Sequence, residues 1–157
     1  MAERGQRLRL DLSNDSPDRL AVRATNHCLT GCAAGEVAGM ALATAFGWGN
    51  ALSIAAAVVL AFVFGYSLTS IPLVRAGLAV GTVVTTALAG DTVSIAIMEA
   101  IDNLFVALVP GALEAELEDP LFWWSIAAGF AIAWPFAFIA QRALIRRGRG
   151  HAHHGHH

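Results

Sequence analysis

Four long apolar runs, none interrupted by a basic residue, restrict this 157-residue chain to a bundle of membrane-crossing helices. The first extends from Cys28 to about Gly47 and contains one charge, Glu36; the second, Ala51 to Val74, contains none. The third, Ala76 to Pro110, carries Asp91, Glu99 and Asp102, and the fourth, Leu121 to Ala140, is again uncharged. A hydrocarbon core takes roughly 20 residues at about 1.5 Å each, so every run suffices. The third exceeds a straight crossing, so its end is expected to tilt or project outside. The expected fold is all-α and polytopic, with four transmembrane helices. Its parts are a polar segment 1–16, a membrane domain 17–147 and a His-rich tail 148–157.

Orientation follows from arginine, which accounts for all ten basic Lys+Arg positions. Arg4, Arg7, Arg9, Arg19 and Arg23 precede the first run, Arg75 separates the second from the third, and Arg142, Arg146, Arg147 and Arg149 follow the fourth. The segment between the third and fourth runs holds Glu114, Glu116, Glu118 and Asp119 with no basic residue. The positive-inside rule therefore places both termini and Arg75 in the cytoplasm, with Trp48, Trp123 and Trp124 at the outer interface.

Helix punctuation is also legible. Ser16-Pro17 reads as an N-cap followed by proline at the first helical position, so a short interfacial helix is expected to run on into the first span. Gly47-Trp48-Gly49-Asn50 reads as a tight outer turn. Pro72 ends or bends the second span, and Pro135 kinks the fourth. Gly31, Gly35 and Gly39 recur every four residues, as do Gly77 and Gly81, a spacing that lets helix backbones approach closely. The first and third spans are therefore expected to be the tightly packed pair, and glycine-rich faces also favour a homo-oligomer.

Several function classes are excluded. Only 14% of residues are charged, against about 25% in ordinary globular chains. No basic face interleaved with aromatics suggests nucleic acid, and no phosphate-cradling loop suggests a nucleotide. Neither a soluble catalytic triad nor the apolar core of a secretory signal is expected. An enzyme is the less favoured class.

Chemistry concentrates in N-H-C-L-T-G-C-A-A-G-E-V-A-G-M. Cys28, Cys32, Glu36 and Met40 are spaced four apart and form a stripe along one side of a helix, with His27 beside its cytoplasmic end. Two thiols, a thioether and an imidazole suit Cu(I) or Zn, making a bound copper or zinc ion the expected cofactor. The bland alternative is packing, since cysteine is a small hydrophobe. Glu36 argues against it, because a mid-membrane carboxylate costs roughly 2.5–3.5 kcal/mol and usually marks a pathway or partner. Asp91, Met98, Glu99 and Asp102 form a candidate ion path on the third span, with Glu36 and Asp91 as a central pair. The hydroxyls of Thr82, Thr85, Thr86, Thr92 and Ser94 either line a wet path or bond to carbonyls one turn back. Five further histidines, His151, His153, His154, His156 and His157, could gather metal on the cytoplasmic side, unless they are a cloning tag.

The motif His27, Cys28, Gly31, Cys32, Gly35 and Glu36 resembles that of small prokaryotic membrane proteins grouped as domain of unknown function 4396. The similarity covers about Asp18 to Arg146. It implies a four-helix domain in the inner (cytoplasmic) membrane of a prokaryote, and no activity.

Three functions compete. The leading one binds or transports a soft transition metal through the helix-one stripe facing the helix-three carboxylates. A second conducts protons or another cation through Glu36 and Asp91. A third, a quinone-linked thiol oxidoreductase, suffers from having two cysteines in poor disulfide geometry. An accessory subunit without transport activity is the plainest option.

Overall fold

The computed structural model describes residues 2–4, 6–7 and 16–154, with side chains described for all of these except 83, 86–88 and 148–154. Four helices account for nearly all of it: α1 Pro17–Phe46, α2 Asn50–Arg75, α3 Val80–Leu108 and α4 Pro120–His154. No strand occurs among the described residues.

The boundaries follow local chemistry. The Ser16 side chain accepts a hydrogen bond from the Arg19 amide, Pro17 occupies the first turn, and Asp18 meets the positive end of the helix dipole. The interfacial helix and the first span are thus one continuous helix. Gly47 ends α1 in the left-handed region at φ 66°, donating its amide to the Ala43 carbonyl. The tight turn lands where expected, at residues 47–49. Pro72 lies inside the last turn of α2, and Pro135 lies inside α4. At the start of α4, the Asp119 carboxylate accepts from the Leu121 amide at 2.9 Å.

The helices alternate in direction, with α1 against each of the other three. Its closest neighbour is α2. Gly31 faces the backbone of Gly65, Gly35 that of Ala61, and Gly39 that of Ala57, all so near that a β-carbon would collide. This corrects the expectation that α1 and α3 are the tight pair. Gly77 sits in the α2–α3 turn at φ 83°, and Gly81 faces open space, so neither packs a helix. The small-residue face of α1 is consumed inside one chain.

Polar residues knit the remaining contacts. The Trp134 indole donates to Asn26 Oδ1 at 2.9 Å, and Tyr66 and Thr92 share a hydroxyl–hydroxyl bond of 2.5 Å. Gln141 donates to the Gly90 carbonyl at 3.3 Å, and Arg142 pairs with Asp18 at 2.6 Å. The arginine-bearing helix ends lie at one end of the bundle, and the acidic 109–119 connector lies at the other.

Burial is inverted relative to a water-soluble domain. Asp91, Ser94, Glu99 and Asp102 are buried, while Val59, Leu104, Trp124, Phe136 and Ile139 face outward. Among the described residues, three helices are long and apolar enough to cross a membrane: Pro17–Phe46, Asn50–Arg75 and Pro120–Arg147. The fourth expected span, α3, has 29 residues, about 43 Å of helix, and turns its three carboxyl groups inward.

Candidate functional site

The polar groups of α1 and α3 meet in a ladder along the inside of the bundle. The two helices run in the same direction, so each rung pairs a residue of α1 with one some 66 positions later. Cys28 lies beside Ser94, Cys32 beside the Glu99 carboxyl, and Glu36 beside the Asp102 carboxyl. Spaced four apart on α1, these residues rise about 6 Å per rung.

Cys28 and Cys32 are both free and buried, with their sulfurs 3.9 Å apart. A disulfide needs about 2.05 Å between sulfurs and β-carbons some 3.5–4.5 Å apart, whereas one helical turn holds β-carbons at about 5–6 Å. The pair is a dithiol by geometry.

Glu99 is almost fully buried. Its Oε2 accepts from Asn103 Nδ2 at 3.3 Å, that same amide donating to the Glu99 carbonyl at 2.8 Å, while Oε1 meets no donor among the described residues. Asp102 is completely buried and rests on α4 at Gly129, where a β-carbon would strike its carboxylate. Neither of its oxygens, nor Glu36 Oε1, meets a donor among the described residues. Each has the other's carboxyl beside it, with the Glu99 carboxyl also within their field. Carboxylates accept only, so a hydrogen bond between the two requires one proton held in common.

Asp91 stands apart from this cluster. It is buried at the arginine end, in hydrogen-bonding reach of Thr69 on α2 and within the field of His27. Eleven residues, about 16 Å, separate it from Asp102. Glu36 therefore pairs with Asp102 and not with Asp91. Helix α1 begins at Pro17, well before its apolar run, so Glu36 is nineteen residues inside its helix and Asp91 only eleven inside α3.

The expected metal stripe is divided by the same geometry. His27 is exposed, its Nδ1–H donating to the Arg23 carbonyl at 2.9 Å, away from the thiols. Met98 is fully buried in the core with the cysteines, whereas Met40 is half-buried and lines a cavity. Among the described residues, no three His, Cys, Asp or Glu side chains converge to hold a metal ion. Of the histidine tail, the backbone of His151, His153 and His154 continues α4. Their side chains, and the whole of His156 and His157, lie outside the described residues.

A cavity of about 310 Å³ opens between the 47–50 turn and the 112–116 connector, with Glu36 and Asn103 at its inner end. It reaches the ladder from the acidic end of the bundle. Thr69, Asn103 and Gly129 were not singled out from sequence. A lone glycine in an apolar helix and an amide one turn beyond a glutamate carry no signal until the helices are assembled.

Residues 19–150 match the family described as Domain of unknown function (DUF4396). Comparison with curated proteins and with solved structures returned no match.

Proposed function

The chain belongs to the DUF4396 family, and we propose that this member is an integral membrane protein that carries protons through its interior, with the Glu36–Asp102 pair as the carrier. The observation behind this reading is that pair: the half-buried Glu36 against the fully buried Asp102, with three of their oxygens meeting no donor among the described residues, at the base of a cavity open to one end. A carboxyl pair sharing a proton can release it toward the cavity and recover it from the ladder, which is what a relay requires. Beyond the pair, Glu99, Cys32, Cys28 and Ser94 extend the polar column toward Asp91 and Thr69. Three buried carboxyl groups in an apolar interior are costly as packing, which weighs against an accessory role without transport.

In this reading all four helices span the bilayer. The arginine-bearing ends of α1, α2 and α4 lie in the cytoplasm, and the acidic connector lies outside. The cavity then opens to the outer side.

Proton flux into liposomes containing the purified chain, followed with an internal pH dye, tests the proposal. Glu36→Gln and Asp102→Asn are each expected to slow flux by about a hundredfold. Wild-type flux no faster than in empty liposomes refutes it.

A soft-metal protein is the second reading, and one distance favours it. The 3.9 Å between sulfurs is close to the edge, about 3.8 Å, of a tetrahedral site with metal–sulfur bonds of about 2.3 Å. Chain ending at Gly150 and purified without chelator would then carry zinc or copper, and Cys28→Ser with Cys32→Ser would remove it. Unchanged metal content in the double variant refutes this reading.

A further inference from the structure

The cavity above Glu36 has walls that a bare proton does not need. Its volume, about 310 Å³, falls at the lower end of the range of small-molecule sites, about 300–1,000 Å³. Glu36 closes its inner end, Glu114 and Glu116 stand at its mouth, and no arginine or histidine lines it among the described residues. Trp48, Phe122 and Met40 supply aromatic and thioether surface between these acids. Trp48 is held in place by stacking on Phe46, ring centroids 5.4 Å apart and planes 19° from parallel.

Carboxylates at both ends of a chamber with apolar walls that include two aromatic rings recognise charge and hydrocarbon together. A hydrated alkali ion gains nothing from the indole and phenyl rings, and of the five uncharged polar side chains that also line the cavity, Ser53, Ser125 and Asn103 already donate to carbonyls of the chain. A bare metal ion needs converging ligands, and no group of three acidic, thiol or imidazole side chains converges among the described residues. An organic ammonium ion satisfies both demands, because its charge is spread over alkyl groups that shed water easily.

We propose that this cavity binds a small organic ammonium ion, its charge at Glu36 and its alkyl groups against Trp48, Phe122 and Met40, in exchange for the proton of the Glu36–Asp102 pair. The exchange balances: one cation enters as one proton leaves, so the interior keeps its net charge. The proposal rests on the reading of that pair as a proton carrier and adds the cargo that the proton is exchanged for. Glu114 and Glu116, being exposed, act by concentrating cations at the mouth.

Tetraethylammonium is the probe, with equilibrium dialysis of the full chain in detergent as the measurement. One ion per chain is expected, and binding weakens as pH falls, because a protonated Glu36 has no charge to offer. Glu36→Gln is expected to weaken binding by about tenfold or more. The Glu114→Gln/Glu116→Gln double variant, altered only on the surface, weakens it a few-fold at low salt and little at high salt. Equal displacement by potassium at matched concentration overturns the assignment to organic cations, as does binding that is indifferent to both pH and Glu36→Gln. Liposome flux separates the two proposals. If tetraethylammonium binds but no proton flux occurs, the carrier reading fails and the cavity site stands. If flux occurs and tetraethylammonium neither binds nor alters it, the cavity site fails and the carrier stands.

Discussion

The Asp102 carboxylate on α3 rests directly on the backbone of Gly129 on α4, at a separation that leaves no room for a β-carbon. A charge-bearing side chain is thereby seated at a helix crossing where only glycine fits.

Gly129→Ala is therefore expected to destabilise the bundle by about 1–3 kcal/mol, the usual effect of forcing a methyl group into a filled interior. Thermal unfolding in detergent measures it. Adding Asp102→Ala should restore part of the stability, because the carboxylate is gone and only the residue 102 α-carbon, 3.2 Å away, still crowds the methyl group, yet should leave flux absent. Equal destabilisation by the single and double variants would mean that the Asp102–Gly129 contact is not the cause.

Two glycines on different helices should respond in opposite directions. Gly35→Ala drives a methyl group into the Ala61 backbone and separates α1 from α2, lowering the unfolding temperature. Gly81→Ala meets open space on a helical backbone and should leave stability unchanged or raise it by about 0.5–1 kcal/mol.

Oxidation of the folded protein should leave the thiols of Cys28 and Cys32 free, since one intact turn of α1 holds them too far apart to bond. Mass spectrometry after mild oxidant reads the outcome. Reversible loss of two hydrogens from the peptide containing both would revive the thiol-redox reading.

The Asp18–Arg142 ion pair is short, but Asp18 is exposed and Arg142 only half-buried, so Asp18→Asn should cost about 0–1 kcal/mol and less at high salt. Its effect on unfolding temperature should be smaller than that of Asn26→Ala. The latter leaves the Trp134 indole without its acceptor between α1 and α4.

Orientation is open to direct labelling. Arg75→Cys and Glu118→Cys should react with a membrane-impermeant maleimide from opposite faces of a vesicle, while Cys28 and Cys32 stay buried. Labelling of both positions from one face contradicts the four-span arrangement.

Much of the architecture was legible because it is written in local chemistry. Ser16-Pro17 and Gly47 fix helix ends through bonds within one turn, and the apolar runs mark helices by length alone. What was not legible depends on register between helices. The partner of the Gly31, Gly35 and Gly39 stripe is the row Ala57, Ala61 and Gly65, also spaced four apart, but it is less conspicuous than Gly77 and Gly81. The Glu36–Asp102 rung is hidden in the sequence because α1 starts at Pro17, eleven residues before its apolar run, whereas α3 starts at Val80, inside its own. His27 adjoins Cys28 in sequence, yet neighbouring residues on a helix do not face each other, and its ring folds back to Arg23.

The close packing of α1 on α2 also bears on how the chain is made. These two helices are made before α3 and α4, and their glycine and alanine backbones can zip together before α3 exists. Glu36 projects from that hairpin without its partner until Asp102 arrives. In the proposed membrane arrangement, insertion in order would leave one acid waiting in the lipid until α3, then α4 with Gly129, sheltered it. Assembly of the bundle would in that sense be timed by translation, with a carboxyl group as the open position that the second half of the chain closes.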